Sequence, residues 1–241
     1  MSVQFEPVEF EPAYRKVADA LLERITDRSL KSGERLPPEL ELARQFGVNR
    51  STVREALREL ESAGMLRRQR GSKLMMVSRP ERDAVAGGVS RALALHDVSI
   101  RDVWEALTIL EPPIAESAAR NRRASDLARI EADVNHALDR SAEGAARQAA
   151  DFFRHVGEAT HNRVLMLAHE PLLQLLAPSL RTIIDEVAPA RARIASAQRR
   201  ILQGIHDGDA AEARLWAGKH IRDYRRGFDL AGIDLKNRVD N

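Results

Sequence analysis

The chain has 241 residues, which is long for one small domain and suits two. It contains no cysteine, so disulfides and thiolate metal sites are excluded, and its net charge of +2 by itself says little about charged partners. No segment approaches the roughly 18 apolar residues of a membrane span, and the acidic residues 1–12 do not resemble a secretion signal, so we expect a cytoplasmic protein with no membrane partner.

Three helices are predicted in the N-terminal part of the chain. Apolar side chains recur at helical spacing over Tyr14–Asp27, which predicts a supporting helix. A short helix after Glu39 leads to a tight turn at Gly47, and a further helix follows. In that last helix Arg50, Arg54 and Arg58 recur at every fourth position and form a basic face, while aliphatic residues lie on the opposite side. This layout is typical of a DNA-reading helix-turn-helix.

The start of the arginine helix is also suited to DNA. Asn49 or Ser51 can cap it by accepting a hydrogen bond from a free backbone N–H. Exposed amides at a helix start suit a phosphate oxygen as well. The alternative is an ordinary amphipathic surface helix whose arginines are only solvated.

The next predicted element is a β-hairpin wing. Two short strands, residues 66–69 and 74–77, flank a basic tip that contains Arg70, Gly71 and Lys73. Glycine lets the backbone approach sugar and phosphate closely, and the basic side chains supply charge. Residues 31–80 carry eleven basic and six acidic side chains, so the positive excess is local to this region.

A domain boundary is expected near Pro80, giving domains of residues 1–80 and 81–241. Beyond it Ala, Leu and Arg dominate, and the pattern predicts an antiparallel all-α helical bundle. The predicted helices cover residues 81–94, 100–121, 125–141, 145–161, 164–176, 179–187, 190–207 and 210–228. Pro112 and Pro113 are expected to bend the second of these or to begin a new segment.

Three bundle residues are candidate metal ligands. Asp151 and His155 are four residues apart on one helix and share a face, and His220 could complete a site across the bundle. From spacing alone, a surface hydrogen bond between the first two is the commoner outcome. The other histidines, including His169, are expected at the surface or at helix caps.

The N-terminal part resembles the winged-helix domain of the GntR superfamily of bacterial transcription regulators. The matching positions are Gly33, Leu36, Pro37, Glu39, Gly47, Val48, Arg50, Val53, Arg54, Glu55, Ala56, Leu57, Leu60 and Gly64. The resemblance implies that a DNA-binding set contacts double-stranded operator DNA: Arg35, Arg50, Ser51, Thr52, Arg54, Arg70 and Gly71. The chain departs from the family at Pro38, where a small capping residue is usual, and at Leu40, where an arginine is usual.

The C-terminal part is similar to the all-helical FCD effector domain of the FadR-like subfamily. The resemblance implies a divalent metal (Zn, Ni or Mn) on Asp151, His155 and His220, with Gln198 in place of the usual fourth histidine. It implies an effector-binding set of these four residues and Asn162. The family arginine that would bind a carboxylate is replaced by Leu107. Arg101 or Arg181 could substitute for it, and Arg147 is a further pocket candidate beside Asn162.

The expected function is that of a homodimeric, sequence-specific transcription regulator, a repressor in most of this family. A small-molecule effector, such as a small organic acid, would control operator binding from the bundle, with or without a metal. We expect no enzymatic activity. Two alternatives are a metal-dependent hydrolase in the bundle and a non-specific architectural DNA-binding protein.

Overall fold

The computed structural model describes residues 11–68, 71, 74–135 and 141–239. The chain divides into two compact units between Ala84 and Val85, slightly beyond the expected boundary at residue 80. No helix in the described ranges is both long and apolar enough to cross a membrane.

The first unit is a helix-turn-helix followed by a small antiparallel sheet. It contains α1 (Ala13–Thr26), α2 (Glu39–Phe46), α3 (Arg50–Ser62), β1 (Leu66–Arg68) and β2 (Met75–Val77). In the sheet Leu66 pairs with Val77 and Arg68 with Met75. The segment before α2 joins the free edge of β2, where the Leu36 N–H donates to the Met75 carbonyl at 2.9 Å. The predicted winged helix-turn-helix is confirmed.

The core of the first unit is built from one face of each helix and from the inner residues of the hairpin. Val53 and Ala56 of α3 are fully buried, and α3 packs against α1 and α2. Gly47 ends α2 in the left-handed region, with a φ of 67°, which side chains other than glycine rarely adopt. The turn allows α3 to follow α2 after three residues.

The second unit is a helical bundle. Its helices are α4 (Arg82–Leu95), α5 (Ile100–Asn121), α6 (Ala124–Asn135), α7 (Ala142–Ala159), α8 (Arg163–Glu186), α9 (Ala190–Asp207) and α10 (Ala210–Leu230). The most extensive packing is between α5 and α10, α7 and α8, and α9 and α10. The predicted all-α bundle is confirmed.

Helix α5 begins with a capping box, in which Ser99 Oγ accepts from the Asp102 N–H and Asp102 Oδ2 accepts from the Ser99 N–H. The C-terminal tail supplies acceptors for further amides at this start, since the Ile100 N–H donates to the Asn237 carbonyl at 2.9 Å. The bundle therefore closes on its own tail at the N-terminus of α5.

The prolines of the bundle lie inside continuous helices. Helix α5 runs from Ile100 to Asn121 as predicted, and of the two outcomes expected at Pro112 and Pro113 a new segment is not the one observed. Residues 164–187 were predicted as two helices, but α8 runs unbroken through Pro171 and Pro178. Proline removes one helical hydrogen bond, and burial of neighbouring side chains such as Ile114, Leu173 and Leu180 keeps the helices continuous.

Candidate DNA-binding surface and effector cavity

Helix α3 presents the two faces that its sequence predicts. Its aliphatic side is buried against α1 and α2. On the other side the Arg50 and Arg54 side chains are 60% and 43% exposed, and Arg58 is also exposed. The basic face is therefore exposed and can enter the major groove of DNA, which is wide enough for an α-helix.

The first turn of α3 departs from the predicted capping. Asn49 lies before the helix, but neither it nor Ser51 accepts a backbone N–H through its side chain. Instead Asn49 Oδ1 accepts from Ser51 Oγ at 2.9 Å and from Thr52 Oγ1 at 3.1 Å. No described side chain caps the first amides of α3, so they can donate to a phosphate oxygen, and both predicted hydroxyls lie beside them.

Glu39 joins α2 to the basic face. Its Oε2 lies 2.7 Å from Arg50 Nε and 3.0 Å from Arg54 Nη2, and its Oε1 lies 3.4 Å from Arg54 Nε. The hydrogen bond from Arg54, followed by that from Arg50, holds the pKa of the Glu39 carboxyl below its usual range. The sequence placed Glu39 in the family signature but did not predict these contacts, because the partners are 11 and 15 residues away.

The remaining predicted DNA contacts lie at the hairpin. Arg35 is exposed and its backbone bridges to Met76 of β2, so it belongs to the wing edge and not to α3. Gly71 has a φ of 75°, which glycine adopts without strain. Arg70 lies outside the described residues. Arg67 and Arg68 of β1 are exposed and add positive charge on the strand itself.

The two departures from the family pattern lie at the start of α2. Pro38 precedes the helix and provides no side-chain cap. Leu40 is 56% exposed and places an apolar side chain where the family carries arginine. This surface therefore has one cation fewer to offer DNA.

The structure does not gather the predicted metal ligands. Asp151 is ion-paired with Arg154, and His155 Nδ1 lies 2.6 Å from Asp133 Oδ2. His220 is buried, stacks on Phe153 and lies 3.3 Å from the Tyr224 hydroxyl. In the described ranges no three His, Cys, Asp or Glu side chains are placed to hold a metal ion.

The donor chemistry of these residues also fits a metal poorly. A metal bound at Asp151 would compete with Arg154 for the carboxylate. The hydrogen bond to Asp133 raises the pKa of His155 and so favours its charged form, which has no free nitrogen lone pair for a metal. Gln198 is fully buried; its Oε1 accepts from Gln148 at 3.3 Å and its Nε2 has no partner. The residues as arranged do not form a metal site.

Two further residues have roles that the sequence did not predict. Asn162, predicted to bind effector, is exposed and caps α8, accepting from the Val164 N–H at 3.0 Å. His169, expected at the surface, is buried and ion-paired with the fully buried Glu111. Burial works to lower the pKa of His169, but the attraction of Glu111 outweighs it and the pKa is raised. A charged pair thus joins α5 to α8 inside the bundle.

A second ion pair, between half-buried Arg154 and buried Glu170, lies at the interface of α7 and α8. Arg154 Nη2 lies 2.6 Å from Glu170 Oε1, and Arg154 Nε lies 2.8 Å from Glu170 Oε2. Because Arg154 also binds Asp151, one guanidinium holds two carboxylates. The two parallel contacts with Glu170 fix the position of the Arg154 guanidinium.

A cavity of about 490 Å³ opens beside this pair, between α7 and α8. Its polar lining includes Arg147, Asp151, Arg154, Gln174 and Arg181, and its apolar lining includes Ala146, Ala150, Leu173, Ala177 and Pro178. Arg181, one of the two arginines named as substitutes for the family arginine, therefore lies in one cavity with the pocket candidate Arg147, whereas Arg101 does not line it.

The predicted effector set is divided between two places. Asp151 lines the cavity between α7 and α8, whereas His220 lines a separate cavity of about 310 Å³ between α9 and α10. Leu107, which replaces the family arginine, is fully buried. The interior of the bundle thus lacks the arginine and the assembled ligands of the family pattern.

Comparison with known proteins agrees with both halves of this description. Residues 13–74 match the gntR family of bacterial regulatory proteins, and residues 102–223 match the FCD domain. The chain belongs to the GntR family of transcription regulators with an FCD effector domain.

This GntR regulator is similar to two proteins of Escherichia coli K12. It is 28% identical over 212 residues to a putative regulatory protein of the L-lactate dehydrogenase operon. That alignment covers 86% of this chain and 82% of that protein. It is 29% identical over 208 residues to the HTH-type transcriptional repressor NanR, covering 83% and 78%.

A solved structure has the same architecture. The GntR protein of Streptococcus agalactiae aligns with a TM-score of 0.60 and 26% sequence identity, covering 88% of this chain and 99% of that one. The regulator assignment therefore rests on both sequence and fold, and the hydrolase and architectural alternatives are not favoured.

Proposed function

We propose that this GntR regulator is a homodimeric, cytoplasmic repressor whose affinity for a palindromic operator is set by a small anionic effector. The basic face of α3 would read the major groove, and the hairpin would contact the adjacent backbone. The effector would occupy the cavity between α7 and α8. It acts only if it binds the DNA-free and DNA-bound conformations with unequal affinity.

The observation that carries the DNA part is the combination on α3 of exposed arginines and uncapped N-terminal amides. Guanidinium groups can bind guanine edges in the groove, while the amides and the hydroxyls of Ser51 and Thr52 suit phosphate. The name of NanR as a repressor supports the same direction of control.

The effector part is supported by the charge and size of the cavity. Its volume of about 490 Å³ suits a small metabolite. Arg181 has no ion-pair partner in the described part of the chain, and the exposed pair of Arg147 with Glu143 is weak. An anion can therefore bind two arginines without breaking a buried ion pair, and the alanines and Leu173 can contact an apolar body.

A dimer is supported by apolar side chains left exposed on the helical unit. Ile109 and Val164 are 71% and 73% exposed, and a second chain that covered them would gain by burying apolar area. A twofold dimer also matches the two half-sites of a palindrome.

The DNA part is tested by selecting duplexes from a random library with the full-length protein. We expect enrichment of a short palindrome and a complex of two protein chains per duplex, measured by mass photometry. Enrichment of no sequence, with affinity that depends only on salt, would instead indicate an architectural DNA-binding protein.

The effector part is tested by thermal shift with hexanoate, benzoate, citrate and inorganic phosphate as probes. We expect at least one carboxylate to stabilise the protein, and the double variant Arg147→Ala, Arg181→Ala to lose that shift. Arg226→Ala, an exposed arginine of α10 outside the cavity, is the matched control. A shift that survives in the double variant places the effector elsewhere.

A further inference from the structure

We propose that Glu39 determines the DNA specificity of this regulator by holding Arg50 and Arg54 in a fixed orientation and masking part of their charge. The proposal rests on the proposed function, in which these two arginines contact the operator. It assigns a role in DNA recognition to an acidic residue of α2, the helix that precedes the reader.

The geometry is a three-residue clamp. One carboxylate oxygen of Glu39 is shared between Arg50 Nε at 2.7 Å and Arg54 Nη2 at 3.0 Å. The two arginines are one helical turn apart on α3, so a single carboxylate can reach both. Because the carboxylate comes from α2, the orientation of the two arginine side chains depends on how α2 packs against α3 and not on α3 alone.

The start of α2 holds the carboxylate in place. Pro38 precedes the helix with a φ of −55°, and Glu39 is its first residue. A negative side chain at this position is favoured by the helix dipole. The Glu39 side chain is 27% exposed, so it is partly desolvated and its contacts are less screened than those of a fully exposed pair.

The clamp decides which edge of each guanidinium faces outward. Both Nε atoms point to Glu39, as does Arg54 Nη2. The remaining N–H groups at the tips are left for a base edge, in the planar arrangement that guanine O6 and N7 accept. Without Glu39 each arginine can rotate its Nε edge outward and bind a phosphate equally well.

The clamp also changes the electrostatics of the surface. Two cations and one anion carry a net charge of +1, compared with +2 without the carboxylate. Affinity for bulk DNA depends mainly on phosphate neutralisation, whereas base contacts depend on orientation. Glu39 is therefore expected to weaken non-specific binding while preserving the specific mode.

These contacts contribute little to the folding stability of the domain. Both arginines are substantially exposed, and ion pairs of this kind contribute little to folding. A variant at Glu39 is therefore expected to remain folded, which circular dichroism can verify.

The test compares Glu39→Gln with Glu41→Gln in the full chain. Both remove one negative charge from α2, but Glu41 contacts Gln45 at 3.1 Å and Arg44 at 3.9 Å and does not contact the arginines of α3. Fluorescence anisotropy would give Kd for the selected operator and for a scrambled duplex of equal composition, at several salt concentrations.

We expect Glu39→Gln to tighten binding to scrambled DNA and to lower the ratio of specific to non-specific affinity by about tenfold, with a non-specific salt slope about one unit steeper. Glu41→Gln should change both affinities equally and leave the ratio unchanged. Glu39→Asp keeps the charge but shortens the reach, so it should lower the ratio without tightening non-specific binding.

Equal ratios for Glu39→Gln and Glu41→Gln would overturn the proposal. Arg54→Ala separates this failure from a failure of the proposed function. If Arg54→Ala loses operator preference while the two glutamate variants behave alike, only the role of Glu39 is wrong. If Arg50→Ala and Arg54→Ala both keep the operator preference, the reader assignment is wrong and the role of Glu39 is refuted with it.

Discussion

The contact between α9 and α10 at Gly204 makes a strong prediction about stability. A Cβ atom added at Gly204 would lie 2.6 Å from the Ala213 nitrogen and 2.9 Å from its Cα. Non-bonded carbon atoms prefer separations of about 3.5–4.0 Å, so the two helices would have to separate by about 1 Å. The contacted atoms belong to the backbone, so no side-chain rotation relieves the contact.

The magnitude follows from two opposing effects. Overpacking a tight core costs about 3 kcal/mol at the upper end of its usual range, and alanine regains about 1 kcal/mol of helix propensity. Gly204→Ala should therefore lower the free energy of unfolding by about 2 kcal/mol. For a unit of this size that corresponds to a fall in Tm of roughly 4–8 °C.

Gly88→Ala is the matched control. Gly88 lies in α4, and a Cβ added there meets no atom within 4 Å. The same substitution should therefore stabilise the protein by about 0.5–1 kcal/mol, through helix propensity alone. The two variants have the same chemical change and opposite expected signs.

The assay is denaturation followed by tryptophan fluorescence. Both tryptophans of the chain, Trp104 of α5 and Trp216 of α10, lie in the helical unit, so the signal reports that unit. A Gly204→Ala variant as stable as the unmodified protein, beside a stabilised Gly88→Ala, would show that α9 and α10 relax freely and that the packing argument is wrong.

Two further predictions concern the reader and the buried pair. Arg54→Ala should weaken operator binding by about 1–3 kcal/mol and relax specificity at one base pair, measured by anisotropy with operators substituted at each position; a uniform loss over all operators would contradict base reading. The pKa of His169 is raised by Glu111, so its stabilisation is complete below the unfolded pKa near 6.5 and is lost as pH rises through the folded value. The difference in unfolding free energy between the unmodified protein and His169→Gln should therefore shrink from pH 5.5 to pH 9, and a constant difference would refute the charged pair.

The local sequence pattern was sufficient to predict most helices and both strands, and to predict which face of α3 is exposed. The spacing of Arg50, Arg54 and Arg58 predicts one exposed face, because an α-helix repeats every 3.6 residues whatever surrounds it. The caps at Ser99 and Asp209 are equally local, since a cap and its amide are three residues apart. The helix break predicted before Ser179 was wrong, because packing along α8 outweighed a local preference at Pro178.

Partners across helices required the tertiary structure. The sequence shows that Glu39, Arg154 and His169 exist, but not that they meet Arg54, Glu170 and Glu111. Such contacts depend on how helices pack, and packing is decided by the shapes of many side chains together.

The sequence by itself thus determined a helix-turn-helix and a helical bundle through local periodicity, and the resemblance of its motif positions implied a GntR-type reader and an effector domain. The tertiary structure decided which charges are paired, that the three expected metal ligands are not gathered among the described residues, and that arginines converge on a cavity between α7 and α8. The physical reason is that backbone periodicity is a property of neighbouring residues, whereas a binding site is made by side chains that only folding brings within a few ångströms.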